Sequence, residues 1–321
     1  MSDITAFTVA LFTSYGLAVG ILFGFFGMGG FLITPALLVS GYPTRVAVGS
    51  GLAFVFGTSL IATIQHRGFG QVNRRLGVAL FVGTTTGIEL GRRLIGLLDT
   101  AGLASAFVSG AYVVLLLGVG AFVYRDAGSD GASSTAVAAR VRAVSLPPHA
   151  TVEGASVSVW VVLAVGLVVG VLAGTLGIGG GFLLVPSLVY GLGLSMPVAV
   201  GTNVFQMTVS AAYGTFSYAS DGLVALPVVL ALLVGSTLGA RIGSAATNHV
   251  DEGDIKGSFA AVLVGGGLAV ASKRLAAAVD LPALHTLGLV LLFGSAIAVS
   301  AVVVVRLVAA LRAGADDPSA A

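Results

Sequence analysis

Cysteine is absent from the 321 residues, which excludes disulfides, thiolate metal sites and a cysteine nucleophile. Charge is scarce as well. Asp, Glu, Lys and Arg together make up 9% of the chain, against about a quarter in soluble domains. Lysine occurs only as Lys256 and Lys273. A net charge of +2 gives no basic surface for a nucleic-acid partner. There is no G-x-x-x-x-G-K-[ST] run, so ATP-driven work by this chain has no support. The glycine-rich stretches sit inside apolar runs and lack the βαβ context of a dinucleotide fold. His66, His249 and His285 have no carboxylate or cysteine at ligand spacing, so neither a metal nor a cofactor is implied. Nothing resembles a nucleophile–base triad. Acidic and histidine residues are too few within the apolar segments for an intramembrane enzyme, which leaves a scaffold subunit of a larger complex as the alternative of that class.

What the chain has in excess is apolar side chain. Hydrophobic residues are 57% of the sequence and the mean hydropathy is +1.07. One globular core cannot bury that much, and the remaining solvent for it is lipid. A helix needs about 20 apolar residues to cross a bilayer core. Stretches of that length run over 7–26, 46–65, 76–98, 103–124, 157–176, 197–217, 223–246, 255–273 and 284–309. Two shorter apolar pieces, 31–40 and 182–193, follow glycine clusters and read as half-helices or re-entrant segments. The start, Met1-Ser2-Asp3-Ile4, lacks a basic n-region, so the first apolar stretch is expected to stay as a membrane helix. Residues 126–156 form a polar linker, with a short helix expected near 135–143, and residues 313–321 form a polar tail that is expected to be disordered.

The two halves repeat. Gly24-Phe25-Phe26-Gly27-Met28-Gly29-Gly30 matches Gly174-Thr175-Leu176-Gly177-Ile178-Gly179-Gly180, an offset of 150 (174 − 24). Phe31-Leu32-Ile33-Thr34-Pro35 matches Phe182-Leu183-Leu184-Val185-Pro186 at 151 (186 − 35), because Gly181 is extra. Ala47-Val48-Gly49-Ser50 matches Ala199-Val200-Gly201-Thr202, and Gly83, Gly87 and Gly91 match Gly235, Gly239 and Gly243, at 152 (235 − 83). Four blocks in one order at near-constant offset indicate an internal duplication. The expected fold class is therefore all-α. It is a polytopic transmembrane bundle of two homologous four-helix repeats, over 1–125 and 157–275, with one additional helix at 280–312. Four spans per repeat would place the halves parallel, and a half-helix that changes the parity would invert them. The sequence admits both.

The glycines spaced by four suit close helix packing. The consecutive glycines differ, since each lowers helix propensity by about 1 kcal/mol. A helix broken at membrane depth leaves backbone N–H groups that protein or ligand must satisfy. The half-helix restarting at Phe31 or Phe182 would point those groups, and its positive dipole end, at the break. Gly27, Gly29, Gly30, Phe31, Gly177, Gly179, Gly180, Gly181 and Phe182 are thus candidates to bind a small anion, with hinge or packing roles as the alternative.

Polar side chains follow each break. Ser50 in one half and Thr202, Asn203 and Gln206 in the other can donate to an oxyanion, or bond neighbouring helices instead. Glu89 and Arg241 occupy equivalent positions (241 − 89 = 152). A charge at the bilayer centre costs at least about 2.5–3.5 kcal/mol, so each is expected near a helix end, paired, or functional, with Arg241 drawing the anion.

The paired G-x-G-G-(G)-F-L-x-x-P signatures, each followed by A-V-G-[ST], resemble the TauE/SafE sulfite-exporter family of membrane permeases over residues 10–125 and 157–275. The resemblance implies a multi-pass transporter of sulfite or organosulfur anions, driven by an ion gradient. The first copy departs from the second in lacking the third glycine and in having Ser50-Gly51 where the second has Thr202-Asn203. The implied partners are a small anion, the lipid of the cell membrane, a coupling ion (proton or sodium) and a second copy of the chain as a homodimer. An anion channel built on the same half-helices is the competing reading.

Overall fold

In a computed structural model, residues 6–26, 29–66, 74–126, 147–152, 155–192, 194–246, 252–279 and 281–315 are described. They are helical apart from one hairpin and the connecting turns. Each stretch expected to span is a helix: α1 (Ala6–Phe26), α3 (Thr44–His66), α4 (Arg74–Thr100), α5 (Ala104–Asp126), α6 (Val159–Leu176), α8 (Met196–Ser220), α9 (Leu226–Ala246), α10 (Glu252–Val279) and α11 (Pro282–Ala315). The two short pieces are α2 (Ile33–Val39), entered through a 3₁₀ turn at Gly29–Leu32, and α7 (Gly181–Pro186), which continues as a π-turn at Ser187–Gly191. Among the described residues, seven helices are long and apolar enough to cross a membrane. The other two, α4 and α8, are 27 and 25 residues long but more polar, because α4 carries Glu89, Arg92 and Arg93 and α8 carries Asn203 and Gln206.

Part of the expected linker is ordered. His149–Val152 pairs antiparallel with Ala155–Ser158, in a register that sets His149 opposite Ser158. The Trp160 indole donates to the Pro147 carbonyl at 3.1 Å and ties the hairpin to the start of α6. The short helix expected near 135–143 lies outside the described residues.

The chain divides into two compact units. The first comprises residues 1–41, 109–129 and 230–321. In it α1 lies against α9 through interlocked glycines. A β-carbon on Gly235, Gly239 or Gly243 would strike the carbonyl oxygens of Thr13, Leu17 and Ile21, and one on Gly16, Gly20 or Gly24 would strike Leu232, Ser236 and Ala240. Backbones that approach this closely gain dispersion contact that larger residues would prevent. The additional helix α11 packs on α10 and on α1, where Ser300 donates to the Ala18 carbonyl at 2.8 Å. Tyr15 reaches from α1 to donate to the Leu32 carbonyl at 3.3 Å, and its ring lies 4.5 Å from that of Phe293.

The second unit comprises residues 42–108 and 130–229. Its α4 and α6 are locked in the same manner. Gly83, Gly87 and Gly91 face the Leu163, Leu167 and Val171 carbonyls, and Gly170 and Gly174 face those of Thr84 and Ile88. Helices α3 and α8 run antiparallel. Thr63 meets Thr208 at 2.8 Å, while at the other end Ser50 accepts from the Ala225 amide at 2.8 Å. The glycines spaced by four are therefore packing residues, as their period suggests.

Candidate functional site

The second glycine cluster breaks its helix. Gly177 caps α6 in the left-handed region at φ 72°, its N–H donating to Ala173, and Gly179 and Gly180 follow at φ 67° and 81°. Only glycine takes such a run without strain. The chain then doubles back. Gly180 rests on Val169 and Gly179 on Val55, and Leu184, Leu188, Leu192 and Leu194 share a buried cluster with Leu76, Leu80, Val162, Val169 and Ala199. The piece from Gly181 onward is thus re-entrant, as expected. Val55 lies near the middle of the candidate span Thr44–Thr63, so the break falls at mid-span of α3. Helix α7 restarts there, with the Leu183 and Leu184 amides both donating to the Gly180 carbonyl, at 3.0 and 2.8 Å. The π-turn that follows widens the helix by one residue, a distortion that recurs at functional sites.

Helix α8 presents the polar side chains. Thr202 lies beside Gly77 of α4, and the Val204 carbonyl accepts from Thr63 of α3 at 3.3 Å. Asn203 stands between these two contacts in the chain. It is 0% exposed, and neither its amide nitrogen nor its carbonyl oxygen has a hydrogen-bond partner. Burying such a group unpaired costs about 1–3 kcal/mol. Gln206, one turn on, is closed by comparison. Its amide nitrogen donates to Thr84 and Ser210, whose hydroxyls meet at 2.7 Å, and Thr84 also bonds the Leu80 carbonyl at 2.8 Å. This network cross-links α8 to α4 and uses its donors internally.

Nearer the C-terminal ends of α4 and α8 lies a charge cluster. Glu89 accepts from Arg92 Nε at 3.0 Å, Arg93 Nε at 2.7 Å and Tyr213 Oη at 3.1 Å. Arg92 bridges onward to Asp221 at 2.8 Å. Arg45, in the first turn of α3, approaches Asp99 at 3.9 Å and Asp221 at 3.8 Å. Glu89 is therefore paired, one of the outcomes its depth required. Sequence reasoning misses Arg45, Asp99, Tyr213 and Asp221. The available signal is scarcity: in so uncharged a chain every ionised group needs a partner.

The expected binding residues divide between the units. Gly177, Gly179, Gly180, Gly181, Phe182, Ser50, Thr202, Asn203 and Gln206 all belong to the second unit. Ser50 there holds the α8–α9 loop. Gly29, Gly30 and Phe31 belong to the first, in the 3₁₀ turn, with Phe31 1% exposed. Gly27 lies outside the described residues. Arg241, also in the first unit, is exposed within the last turns of α9.

A re-entrant helix break among seven helices long and apolar enough to cross a bilayer marks a multi-pass membrane protein. The chain belongs to the sulfite exporter TauE/SafE family, whose profile matches residues 12–270. It is similar to two proteins of Bacillus subtilis (strain 168), the probable membrane transporter proteins YdhB and YunE. YdhB is 29% identical over 75% of this chain and 91% of its own length. YunE is 26% identical over 72% and 85%. A probable membrane transporter protein of Xylella fastidiosa (strain 9a5c) is 28% identical over 70% and 80%. No solved structure matches the chain.

Proposed function

We propose that the protein is a secondary transporter that exports sulfite or a related small sulfur-containing or organic anion. One observation carries the reading: a carboxamide buried without partners, Asn203, shares a helical unit with a mid-span break at which Gly181 and Phe182 precede the first internal bonds of the restarted helix. In this reading Gly177–Phe182, Thr202 and Asn203 line the anion's path, Gln206 braces it against α4, and Gly27, Gly29, Gly30 and Phe31 serve the anion at the equivalent place in the first half. Ser50 supports that path by holding its loop. Arg241 attracts the anion at an entrance, and a proton or sodium gradient supplies the driving force. The family description names sulfite export; the relatives are named only as membrane transporters.

Reconstituted liposomes test this. Sulfite flux is expected to saturate and to respond to an imposed proton or sodium gradient. Flux that rises linearly with concentration and ignores both gradients would instead support a channel. An Arg241→Gln protein with unaltered KM would remove the entrance role.

A further inference from the structure

Resting on the transporter reading above, we propose that the oxyanion-bearing ligand taken at Asn203 carries its own hydrogen-bond donor and at most one net negative charge. It is either a singly protonated oxyanion, such as hydrogen sulfite, or a zwitterionic sulfonate that bears an ammonium group.

A carboxamide offers two N–H donors and one carbonyl acceptor, and here both ends are unpaired on a residue without solvent exposure. Hydroxyls on α4 and α8 of the same unit are engaged elsewhere: Thr84 with Leu80, Ser210 and Gln206, Thr208 with Val204 and Thr63. An oxyanion without hydrogens can accept from Asn203 Nδ2 but sets its lone pairs against Oδ1, which then stays unsatisfied. An anion with an O–H or N–H fills both ends at once. Charge points the same way. The cost of desolvating an ion grows steeply with its charge, and a neutral amide supplies no counter-charge for a dianion. A site with an unfilled acceptor discriminates strongly against an analogue lacking the matching hydrogen.

The experiment measures binding to the purified full chain in lipid nanodiscs, by calorimetry, at one mildly acidic pH. It compares two pairs: sulfite against methanesulfinate, monoanions at that pH that differ in the donor, and 2-aminoethanesulfonate against ethanesulfonate, which differ in the donor and by one unit of charge. At least one pair is expected to favour the donor-bearing member by about tenfold or more, and the pair that does so identifies the source of the hydrogen. Asn203→Leu is expected to erase that preference while leaving the melting temperature equal or higher, because it removes an unpaired buried group. Equal binding within both pairs, or a preference that survives in Asn203→Leu, overturns the inference and leaves the transporter reading standing. The absence of binding by all four ligands overturns this inference and, with it, sulfite as the substrate. If Asn203→Leu fails to fold, the ligand pairs measured on the unaltered chain decide alone.

Discussion

Gly179 sits at φ 67°, and a β-carbon there would collide with the Val55 side chain. Both facts oppose any side chain. Alanine there must adopt a left-handed conformation that costs about 1–2 kcal/mol and must displace a buried valine. Gly179→Ala is therefore expected to lower stability by about 2 kcal/mol or more, read as a fall in melting temperature. Gly96, a helical glycine with nothing within 4 Å of the place a β-carbon would take, is the control: Gly96→Ala should be neutral or stabilising by up to about 1 kcal/mol. Equal effects at the two sites would mean that the break is no more constrained than an open helix. Arg92 gives a second test at this scale. It joins Glu89 to Asp221 with its side chain 25% exposed, so screening moderates but does not remove its contribution. Arg92→Gln is expected to cost about 1–2 kcal/mol, less at high salt. A loss that does not change with salt would make Arg92 a packing residue.

At the scale of elements, stability rests on two glycine-lined helix pairs, α1 with α9 and α4 with α6. Their β-carbons would collide with backbone carbonyls, which cannot swing aside as a side chain can. Overpacking typically costs about 1–3 kcal/mol. Gly87→Leu and Gly239→Leu should each exceed that and prevent recovery of folded protein in detergent. Gly118→Leu, where the space is open, should be recovered normally by size-exclusion chromatography. Similar recovery of all three would refute the close packing. Half of each pair was legible from the sequence: the period of four at 83, 87, 91 and at 235, 239, 243 pointed to packing. The answering stripes, Gly16, Gly20, Gly24 and Gly166, Gly170, Gly174, have the same period, yet no local pattern says which stripe meets which. The half-helices were legible because consecutive glycines before a proline oppose a continuous helix. The 149–158 hairpin was not, because its few residues carry little hydrophobic alternation. The Arg45–Asp221 contact was also hidden, since it joins positions far apart in the chain (221 − 45 = 176 residues).

At the scale of the whole molecule, apolar helices carry the protein in lipid while the polar groups turn inward on α4 and α8. The interior of the second unit then holds what an anion needs: a broken helix at mid-span and a carboxamide with no partner. Transport requires that this interior become reachable from water during the cycle, although Asn203 is fully buried in the state described. The absence of native cysteine allows a clean measurement of that access. Asn203→Cys in reconstituted liposomes is predicted to react with a small charged methanethiosulfonate reagent. Val234→Cys, on an exposed apolar position of α9, is predicted to stay unreacted in lipid. An Asn203→Cys protein as inert as Val234→Cys under flux conditions would contradict an anion path through the second unit.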